Sequence, residues 1–360
     1  MKKILILTNH SYMLYRFRRE LIEKLMETHE VVLSMPFVGH EDDFKAMGLH
    51  CIETDVDRRG VNPKTDAQLL HTYVSLLRRE QPDLVITYSI KPNIYGGLAC
   101  ERLGIPFYAN VQGLGTAFER RGIAELVTAM YRMAFRRVRT VFFENEANAQ
   151  EFLRRGILSE RKCTVLCGAG INLREYPCEP YPQRGTVRFL YLGRIMREKG
   201  MDELLCAFRW LHAEFGERVA LDLVGFYEEE YQAEVERLQA DGIAVFHGFQ
   251  AEPRPFYAAA DCVVMPSYHE GMSNVLLEAA ATGRPVITSD IPGCRETVDD
   301  GVSGYLCRVR DADSLYAAMR RFLELDPAAR QTMGAAGREK MERAFDKRAI
   351  VRETVRALGI

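Results

Sequence analysis

Two glutamates lie eight positions apart in the stretch YHEGMSNVLLEAAATG, residues 268–283. Glu270 lies in a glycine-containing turn, and Glu278 lies inside an alanine-rich segment that we predict to be a helix capped by Ser273 or Asn274. The first amides of a helix have no partner within it and attract anions. Carboxylates beside such a site should accept hydrogen bonds from neutral donors, such as sugar or ribose hydroxyls. An acidic side chain that only stabilises the helix dipole remains the alternative for Glu278.

A second candidate site lies in YLGRIMREKGMDELLCAF, residues 191–208. Gly193 permits a close turn after a strand-like run, and Lys199 precedes an amphipathic helix. Arg194 offers a planar fork for phosphate oxygens and Lys199 a mobile point charge, so together they could bind a diphosphate. Taken singly, either cation would more often be a surface charge, and we expect Arg197 to be solvated.

Short apolar runs that alternate with helix-length segments must position these residues. The predicted strands are 3–8, 30–35, 84–88, 106–111, 140–144, 162–167, 187–193, 219–225, 244–248, 262–266, 285–289 and 304–309. This β–α alternation predicts parallel sheets covered by helices. The segment YPCEPYPQRGT, residues 176–186, interrupts the alternation and has the composition of a linker.

The predicted fold is therefore α/β, with two doubly wound, Rossmann-like domains that face each other across a cleft. The predicted domains are residues 1–177 and 187–345, joined by a linker at 178–186. Residues 346–360 form a C-terminal helix that we expect to pack back on the first domain. Ligands of open parallel sheets bind at the carboxyl ends of the strands, so strand-to-helix loops should line the cleft.

The amino-acid composition argues against several classes of protein. The 360 residues carry 48 basic and 50 acidic side chains, so the total charge does not indicate a nucleic-acid binder. No apolar run is long enough to span a membrane, and MKKILILTNH is interpreted as a first strand rather than a signal peptide. The nine cysteines are scattered, which favours reduced thiols and a cytoplasmic location. Asp55 and Asp57 form the sequence DVD, which resembles a metal-binding motif of a different transferase fold, but no metal or other cofactor is expected.

GRIMREKG (193–200) followed by EGMSNVLLEAAATGRPVITSDIPGCRETVDDGVSGYL (270–306) resembles the retaining glycosyltransferases of family 4, which have the GT-B fold. Glu270 and Glu278 match the E-x7-E signature of that family. LCGAGINLREY (166–176) is similar to the segment that ends its first domain. Residues 87–118 resemble bacterial capsule, exopolysaccharide and lipid-linked oligosaccharide transferases, including N-acetylgalactosaminyltransferases that act on undecaprenyl-diphosphate sugars.

This resemblance implies transfer of a hexose or N-acetylhexosamine, with retention, from a UDP-sugar to a polyprenyl-diphosphate-linked saccharide. It implies that Arg194 and Lys199 bind the diphosphate, Glu278 the ribose and Glu270 the donor sugar, with Glu270, Arg194 and Lys199 as the catalytic residues. Further implied or expected donor-side residues are Gly193, Gly225, Phe249, Gly271, Met272, Ser273 and Asn274.

The first domain should bind the acceptor through loops that follow its strands. The acceptor-side candidates are His10, Tyr15, Arg18, Arg59, Asn62, Lys91, Asn93, Gln112 and Gly113. Many members of the resembled family carry a histidine where this chain has Gln112, and glutamine can neither act as a base nor carry charge. An ordinary loop histidine is the alternative for His10, and a solvated helix face is the alternative for the cluster Arg16, Arg18 and Arg19.

Residues 118–139, FERRGIAELVTAMYRMAFRRVR, carry six arginines against two glutamates. A basic amphipathic helix of this kind binds anionic membrane surfaces, which would place the protein peripherally on the inner face of the cell membrane. Leu126, Met130, Tyr131 and Phe135 are the expected apolar anchors. A helix packed on the sheet of the first domain is the alternative.

Other functions share parts of this pattern. A nucleotide-sugar epimerase also binds a UDP-sugar, and a transferase could use a soluble acceptor. A Rossmann oxidoreductase is disfavoured because TNHSYM (8–13) lacks the G-x-G-x-x-G fingerprint. A non-catalytic binding protein would not need both the glutamate pair and the Arg/Lys loop.

Overall fold

The structure is a computed structural model that describes residues 1–57, 62–114, 118 and 122–360. Two units are present, one formed by Met1–Ala169 with Arg348–Ile360 and the other by Gly170–Lys347. Each unit contains one parallel sheet with helices, which confirms the predicted α/β class and its two doubly wound domains. The segment 178–186, predicted as a linker, lies within the second unit.

Seven parallel strands form the sheet of the first unit. They are β1 (Lys3–Leu7), β2 (Glu30–Met35), β3 (His50–Glu53), β4 (Leu84–Tyr88), β5 (Phe107–Val111), β6 (Val138–Phe143) and β7 (Cys163–Val165). Their order is β3-β2-β1-β4-β5-β6-β7, so the direction of strand addition reverses between β1 and β4. The helices are α1 (Ser11–Met26), α2 (Glu41–Ala46), α3 (Pro63–Glu80), α4 (Gly97–Leu103), α5 (Ile123–Ala134) and α6 (Glu146–Arg154).

Six parallel strands form the sheet of the second unit. They are β8 (Val187–Leu192), β9 (Val219–Val224), β10 (Ala244–Phe246), β11 (Cys262–Met265), β12 (Val286–Ser289) and β13 (Gly304–Cys307). Their order is β10-β9-β8-β11-β12-β13, with the reversal between β8 and β11. The helices are α7 (Met201–Phe215), α8 (Gln232–Ala240), α9 (Arg254–Ala259), α10 (Asn274–Ala281), α11 (Ala312–Leu323) and α12 (Pro327–Ala344).

A last helix, α13 (Lys347–Leu358), completes the first unit rather than the second. Ile350 and Leu358 are buried in the same apolar cluster as Leu21 and Ile86. The hydroxyl of Tyr108 donates to the carbonyl oxygen of Leu358 at 2.7 Å. The first unit is thus built from two separate parts of the chain.

Both sheets have strands that are buried on their two faces, which explains their continuous apolar sequences. In β8, Phe189, Leu190 and Tyr191 are all at most 1% exposed. The loops at the strand ends are less buried and carry polar side chains. The reversal points, β1/β4 and β8/β11, are the places where such loops separate and leave room for ligands.

Candidate functional site

The loops that follow β8 and β11 meet at the reversal point of the second sheet. Gly200 has a φ of +73°, and a Cβ at this position would lie 2.0 Å from the carbonyl oxygen of Pro266. The amide of Tyr268 donates to the carbonyl oxygen of Glu198 at 2.9 Å. Only glycine permits this approach, and it places Lys199 beside the loop that carries Glu270.

Lys199 and Glu270 form an ion pair with an Nζ–Oε1 distance of 2.6 Å. Their side chains are 16% and 14% exposed, so the pair is largely withdrawn from water. The hydroxyl of Ser267 donates to the same carboxylate oxygen at 2.9 Å. Burial raises the pKa of Tyr191, and the negative charge of Glu270 raises it further. The structure therefore brings two predicted site residues, 71 positions apart, into direct contact.

Arg194 lies in the same loop and is more open to solvent. Its side chain is 42% exposed, and Nη1 contacts Glu228 Oε2 at 2.6 Å. The hydroxyl of Tyr191 donates to the Arg194 carbonyl oxygen at 2.6 Å and fixes the backbone there. Glu228, only 13% exposed, is a partner that the sequence analysis did not identify. Both predicted diphosphate-binding cations are thus paired with carboxylates in this structure.

The ends of β8, β9 and β10 are joined by close glycine contacts. A Cβ on Gly225 would lie 1.8 Å from the carbonyl oxygen of Gly193, and the Gly225 amide donates to Gly248 at 2.9 Å. Phe226 and Phe249, which follow these glycines, are 47% and 57% exposed, with ring centroids 6.3 Å apart. Phe249 was predicted and Phe226 was missed, although an aromatic residue directly after a strand-end glycine was a usable signal.

Glu278 is placed differently from Glu270. It is 5% exposed within α10, and Tyr257 donates its hydroxyl hydrogen to Oε2 at 2.8 Å. Met272 and Ser273 are also buried, and the Ser273 amide donates to the carbonyl oxygen of Gly293 at 2.9 Å. These residues hold the loop before α10. Asn274 and Gly271 flank the start of the helix, whose first amides have no acceptor within the helix.

Several acceptor-side candidates of the first unit are engaged in its own structure. Arg18, predicted to meet a ligand or solvent, is 7% exposed and pairs with Glu144 at 2.8 Å. Asn93 is 1% exposed; Thr87 donates to its Oδ1 at 2.6 Å, and its Nδ2 donates to the Asn110 carbonyl oxygen at 2.8 Å. Such burial argues against direct acceptor contacts by these two side chains, because each is enclosed by the fold.

Other candidates remain nearer the surface. Lys91 pairs with Asp66 at 2.7 Å, and exposed Asn62 caps α3 by accepting from the Lys64 amide. Tyr15 stacks on His40 with a centroid distance of 4.4 Å. His10, half-buried, precedes α1, and half-buried Gly113 follows Gln112. Arg59 lies outside the described residues.

A polar cluster at the reversal point of the first sheet includes Gln112 and two residues that were not predicted as site residues. Ser89 follows β4 and has a φ of +75°. Its hydroxyl donates to Asn9 Oδ1 at 2.8 Å and lies 3.5 Å from Gln112 Oε1. The positive φ of a serine has no marker in the sequence, which is why Ser89 was missed.

The predicted membrane-binding segment has two distinct faces. Tyr131 and Phe135, predicted as membrane anchors, are 1% and 2% exposed and pack in the core, which corrects that part of the prediction. Leu126, also a predicted anchor, is exposed on the outer face of α5 together with Ile123 and Met133, and Met130 is half-buried. Arg136, Arg137 and Arg139 are exposed beyond its end, whereas Arg120 and Arg121 lie outside the described residues.

Across the part of the chain that the structure describes, no three His, Cys, Asp or Glu side chains come together as a metal ion would require. Asp57 lies 4.0 Å from Lys91 Nζ. Among the described helices, none has both the length and the apolar composition needed to cross a bilayer.

Two known protein families match this chain, one in each unit. The family model described as "Glycosyl transferase 4-like" matches residues 3–145, and the model "Glycosyl transferases group 1" matches residues 186–325. Together they match more than three quarters of the chain, including the loops that carry Arg194, Lys199 and both glutamates. The chain belongs to the glycosyltransferases of family 4.

Relatives of this glycosyltransferase cover most of its length. It is 25% identical, over 89% of both chains, to the N,N'-diacetylbacillosaminyl-diphospho-undecaprenol alpha-1,3-N-acetylgalactosaminyltransferase of Campylobacter jejuni. It is 24% identical to the capsular polysaccharide biosynthesis glycosyltransferase CapM of Staphylococcus aureus, over 92% of this chain and 95% of CapM. The crystal structure of Anabaena Alr3699/HepE in complex with UDP and glucose matches all of both chains with a TM-score of 0.81 and 18% identity. This likeness confirms the GT-B fold.

Proposed function

We propose that the glycosyltransferase moves a hexose or an N-acetylhexosamine from a UDP-sugar, with retention, to a saccharide linked to polyprenyl diphosphate. The observation that carries the donor half of this proposal is the contact of Lys199 with Glu270 beside Arg194, at the reversal point of the second sheet. Two cations and one carboxylate suit a ligand that has both a diphosphate and a hydroxylated sugar. The names of the Campylobacter and Staphylococcus relatives support a role in lipid-linked or capsular glycan synthesis.

The assigned roles follow from charge and exposure. Arg194 and Lys199 bind the diphosphate and stabilise the negative charge that develops on it as it leaves. Lys199 and Ser267 both donate to Oε1 of Glu270, so Oε2 is assigned to a hydroxyl of the donor sugar. Glu278 is assigned to the ribose. Phe249, together with Phe226, offers exposed aromatic surface on which the uracil base stacks.

Transfer exchanges one bond at the anomeric carbon for another. The bond from that carbon to the diphosphate oxygen breaks, and a bond to the acceptor hydroxyl oxygen forms on the same face. The acceptor's proton passes to a phosphate oxygen of the leaving UDP. Glutamine at position 112 is consistent with this assignment, since it requires no protein base there.

Acceptor-dependent release of UDP tests the proposal. The purified protein is incubated with a panel of UDP-sugars, with and without undecaprenyl-diphosphate-linked monosaccharides, and free UDP is measured. UDP release that requires the lipid-linked acceptor, with an α-linked product from an α-linked donor, is the expected result. Conversion of the UDP-sugar into its epimer would instead indicate an epimerase. Equal release with the monosaccharide lacking its lipid would favour a soluble acceptor.

Metal independence follows from the assignment of Arg194 and Lys199 to the diphosphate. Because two side chains supply positive charge there, EDTA should leave the transfer rate within about twofold of its starting value. The measurement is UDP release before and after chelation. Complete loss of release that a divalent ion restores would contradict this prediction.

The outer face of α5 is the proposed contact with an anionic membrane. Ile123, Leu126 and Met133, at positions i, i+3 and i+10, share one helix face. Exposed arginines follow the helix, and each basic residue near an anionic surface contributes about 1 kcal/mol. Such a surface would bring the enzyme to an acceptor whose lipid lies in the membrane.

Replacing Arg136, Arg137 and Arg139 by glutamate should release the protein from vesicles that contain anionic lipid, by at least about tenfold in bound fraction at low salt. Co-sedimentation is the measurement, and UDP binding should not change. Arg237, Arg308 and Arg343, which are exposed in the second unit, give a control triple variant with the same change of net charge. Wild-type protein that ignores anionic vesicles at low salt would contradict the membrane assignment.

A further inference from the structure

Three neutral polar side chains meet where the first sheet reverses its strand order. Asn9 follows β1, Ser89 follows β4 and Gln112 follows β5. Since β1 and β4 are neighbours whose connections run in opposite directions, the space beyond their carboxyl ends is the expected ligand crevice of this sheet. All three side chains are half-buried, which leaves them accessible to a small group.

Ser89 is held in an unfavourable backbone conformation. Its φ of +75° lies in the left-handed region, which non-glycine residues adopt only at a cost in free energy. Glycine would adopt the same backbone without this cost. The chain nonetheless has a serine here, whose hydroxyl is directed at Asn9. The strain thus accompanies a specifically placed hydroxyl group.

The hydrogen bonds of this cluster leave capacity for a ligand. A serine hydroxyl has one hydrogen to donate, while the oxygens of Asn9 and Gln112 lie 2.8 and 3.5 Å from Ser89 Oγ. If the serine hydroxyl donates to Asn9, Gln112 Oε1 has only the longer 3.5 Å contact with Ser89 Oγ. A hydroxyl group of a ligand can then donate to Gln112 Oε1. Ser89 Oγ can in turn accept a hydrogen bond, and the amide nitrogens of Asn9 and Gln112 can donate.

The chemistry of the cluster selects the class of ligand. None of the three side chains carries a charge, so the cluster offers no attraction for a phosphate comparable with that of the Arg194 and Lys199 loop. Donors and acceptors on these half-buried side chains match the hydroxyl groups of a saccharide, each of which both donates and accepts. Such matching discriminates strongly, because a missing hydroxyl leaves polar groups unpaired.

We infer that Asn9, Ser89 and Gln112 form a subsite that binds hydroxyl groups of the acceptor saccharide. This inference rests on the proposed transferase function and adds Asn9 and Ser89 to the residues that select the acceptor. The Ser89 hydroxyl forms a hydrogen bond with the sugar, and Asn9 holds that hydroxyl in position. The left-handed backbone of Ser89 fixes the position from which the hydroxyl is presented.

Ser89→Gly is the decisive variant, because it removes the hydroxyl and relieves the backbone strain together. A purely structural serine predicts unchanged or improved stability and unchanged kinetics. The subsite predicts a rise of about tenfold in the KM for the lipid-linked acceptor, while kcat changes less and UDP affinity stays constant. Gln81→Gly is the matched control, since Gln81 is an exposed residue of the same unit with a positive φ of 47°.

A binding measurement separates this inference from the transfer reaction. Saturation-transfer NMR with the methyl α-glycosides of glucose, galactose and their N-acetylated amines should show sugar contacts that weaken in Ser89→Gly and persist in Gln81→Gly. Wild-type protein that releases no UDP but shows this Ser89-dependent contact would refute the transferase proposal and keep the subsite. Unchanged KM and unchanged NMR signals in Ser89→Gly, or no glycoside binding by the wild type, would overturn the subsite.

Discussion

Replacing Glu270 by glutamine should lower the rate of sugar transfer by about 10²–10³-fold while leaving the affinity for UDP within about threefold. Glutamine keeps the size of the side chain and an oxygen that can accept from Ser267 and Lys199, so the loop should keep its conformation. The variant loses the negative charge that is assigned to the donor sugar. Because UDP lacks that sugar, its affinity should change little. Steady-state UDP release and calorimetric UDP binding are the two measurements.

The control for this variant is Glu339→Gln, on the exposed surface of α12, which makes the same chemical change outside the loops of the site. Glu278→Gln provides the contrast. Because Glu278 is assigned to the ribose, which UDP and UDP-sugar share, this variant should bind both of them more weakly. An equal loss of UDP affinity in the Glu270 and Glu278 variants would contradict the division of roles between the two glutamates.

Replacing Arg194 or Lys199 by an uncharged residue should lower the affinity for UDP by about 10- to 100-fold, since a hydrogen bond to a charged group contributes about 1.5–3 kcal/mol. Uridine, which lacks the diphosphate, should keep its affinity within about twofold. Arg194→Gln and Lys199→Met are suitable, with UDP and uridine titrated in parallel. The Lys199 variant also removes the cation beside Glu270, so a further loss of transfer rate is expected from it.

Arg197 supplies the matched control within the same loop. Its side chain is 73% exposed and lies 3.3 Å from Asp202, as expected for a solvated surface residue. Arg197→Gln should change UDP affinity by less than about twofold, because exposed ion pairs contribute little. If the Arg194 and Lys199 variants lost equal affinity for UDP and for uridine, these residues would be stabilising the loop rather than binding the phosphates.

Most of the sheet could be predicted from sequence because buried parallel strands have continuous apolar runs. β3 (His50–Glu53) was missed: it is a four-residue strand at the sheet edge, with two exposed ends and no buried face. The first domain boundary also differs, since the structure divides the chain at Ala169 and Gly170. Prolines in 176–186 mark an irregular segment, but that segment packs as part of the second unit.

Arg284 illustrates what fixes that segment. Its guanidinium is fully buried and donates to the carbonyl oxygens of Glu179, Pro180, Tyr257 and Ala258. Burial lowers the pKa of this arginine. The sequence GRPVITS gives no sign that one side chain links residues more than 100 positions apart.

Site residues were predictable where a loop motif carries them and less so where partners come from distant loops. Gly200 and Lys199 belong to one motif, but the contact of Arg194 with Glu228 depends on which loops the sheet places side by side. Two of the four predicted apolar anchors, Tyr131 and Phe135, were assigned to the wrong face for a related reason. Apolar residues lie on both sides of α5, and packing contacts such as that of Phe152 against Tyr131 show which side faces the core.

The return of α13 to the first unit determines the order in which the two units can be completed during translation. Synthesis proceeds from the N-terminus, and domains generally fold as they emerge. Residues 170–347 can close their core as soon as they leave the ribosome. The first unit must wait for Ile350 and Leu358, which belong to its apolar cluster, and for the Leu358 carbonyl that accepts from Tyr108. The unit that is translated first is therefore the last to be finished, and its nascent form exposes the apolar surface that α13 will cover.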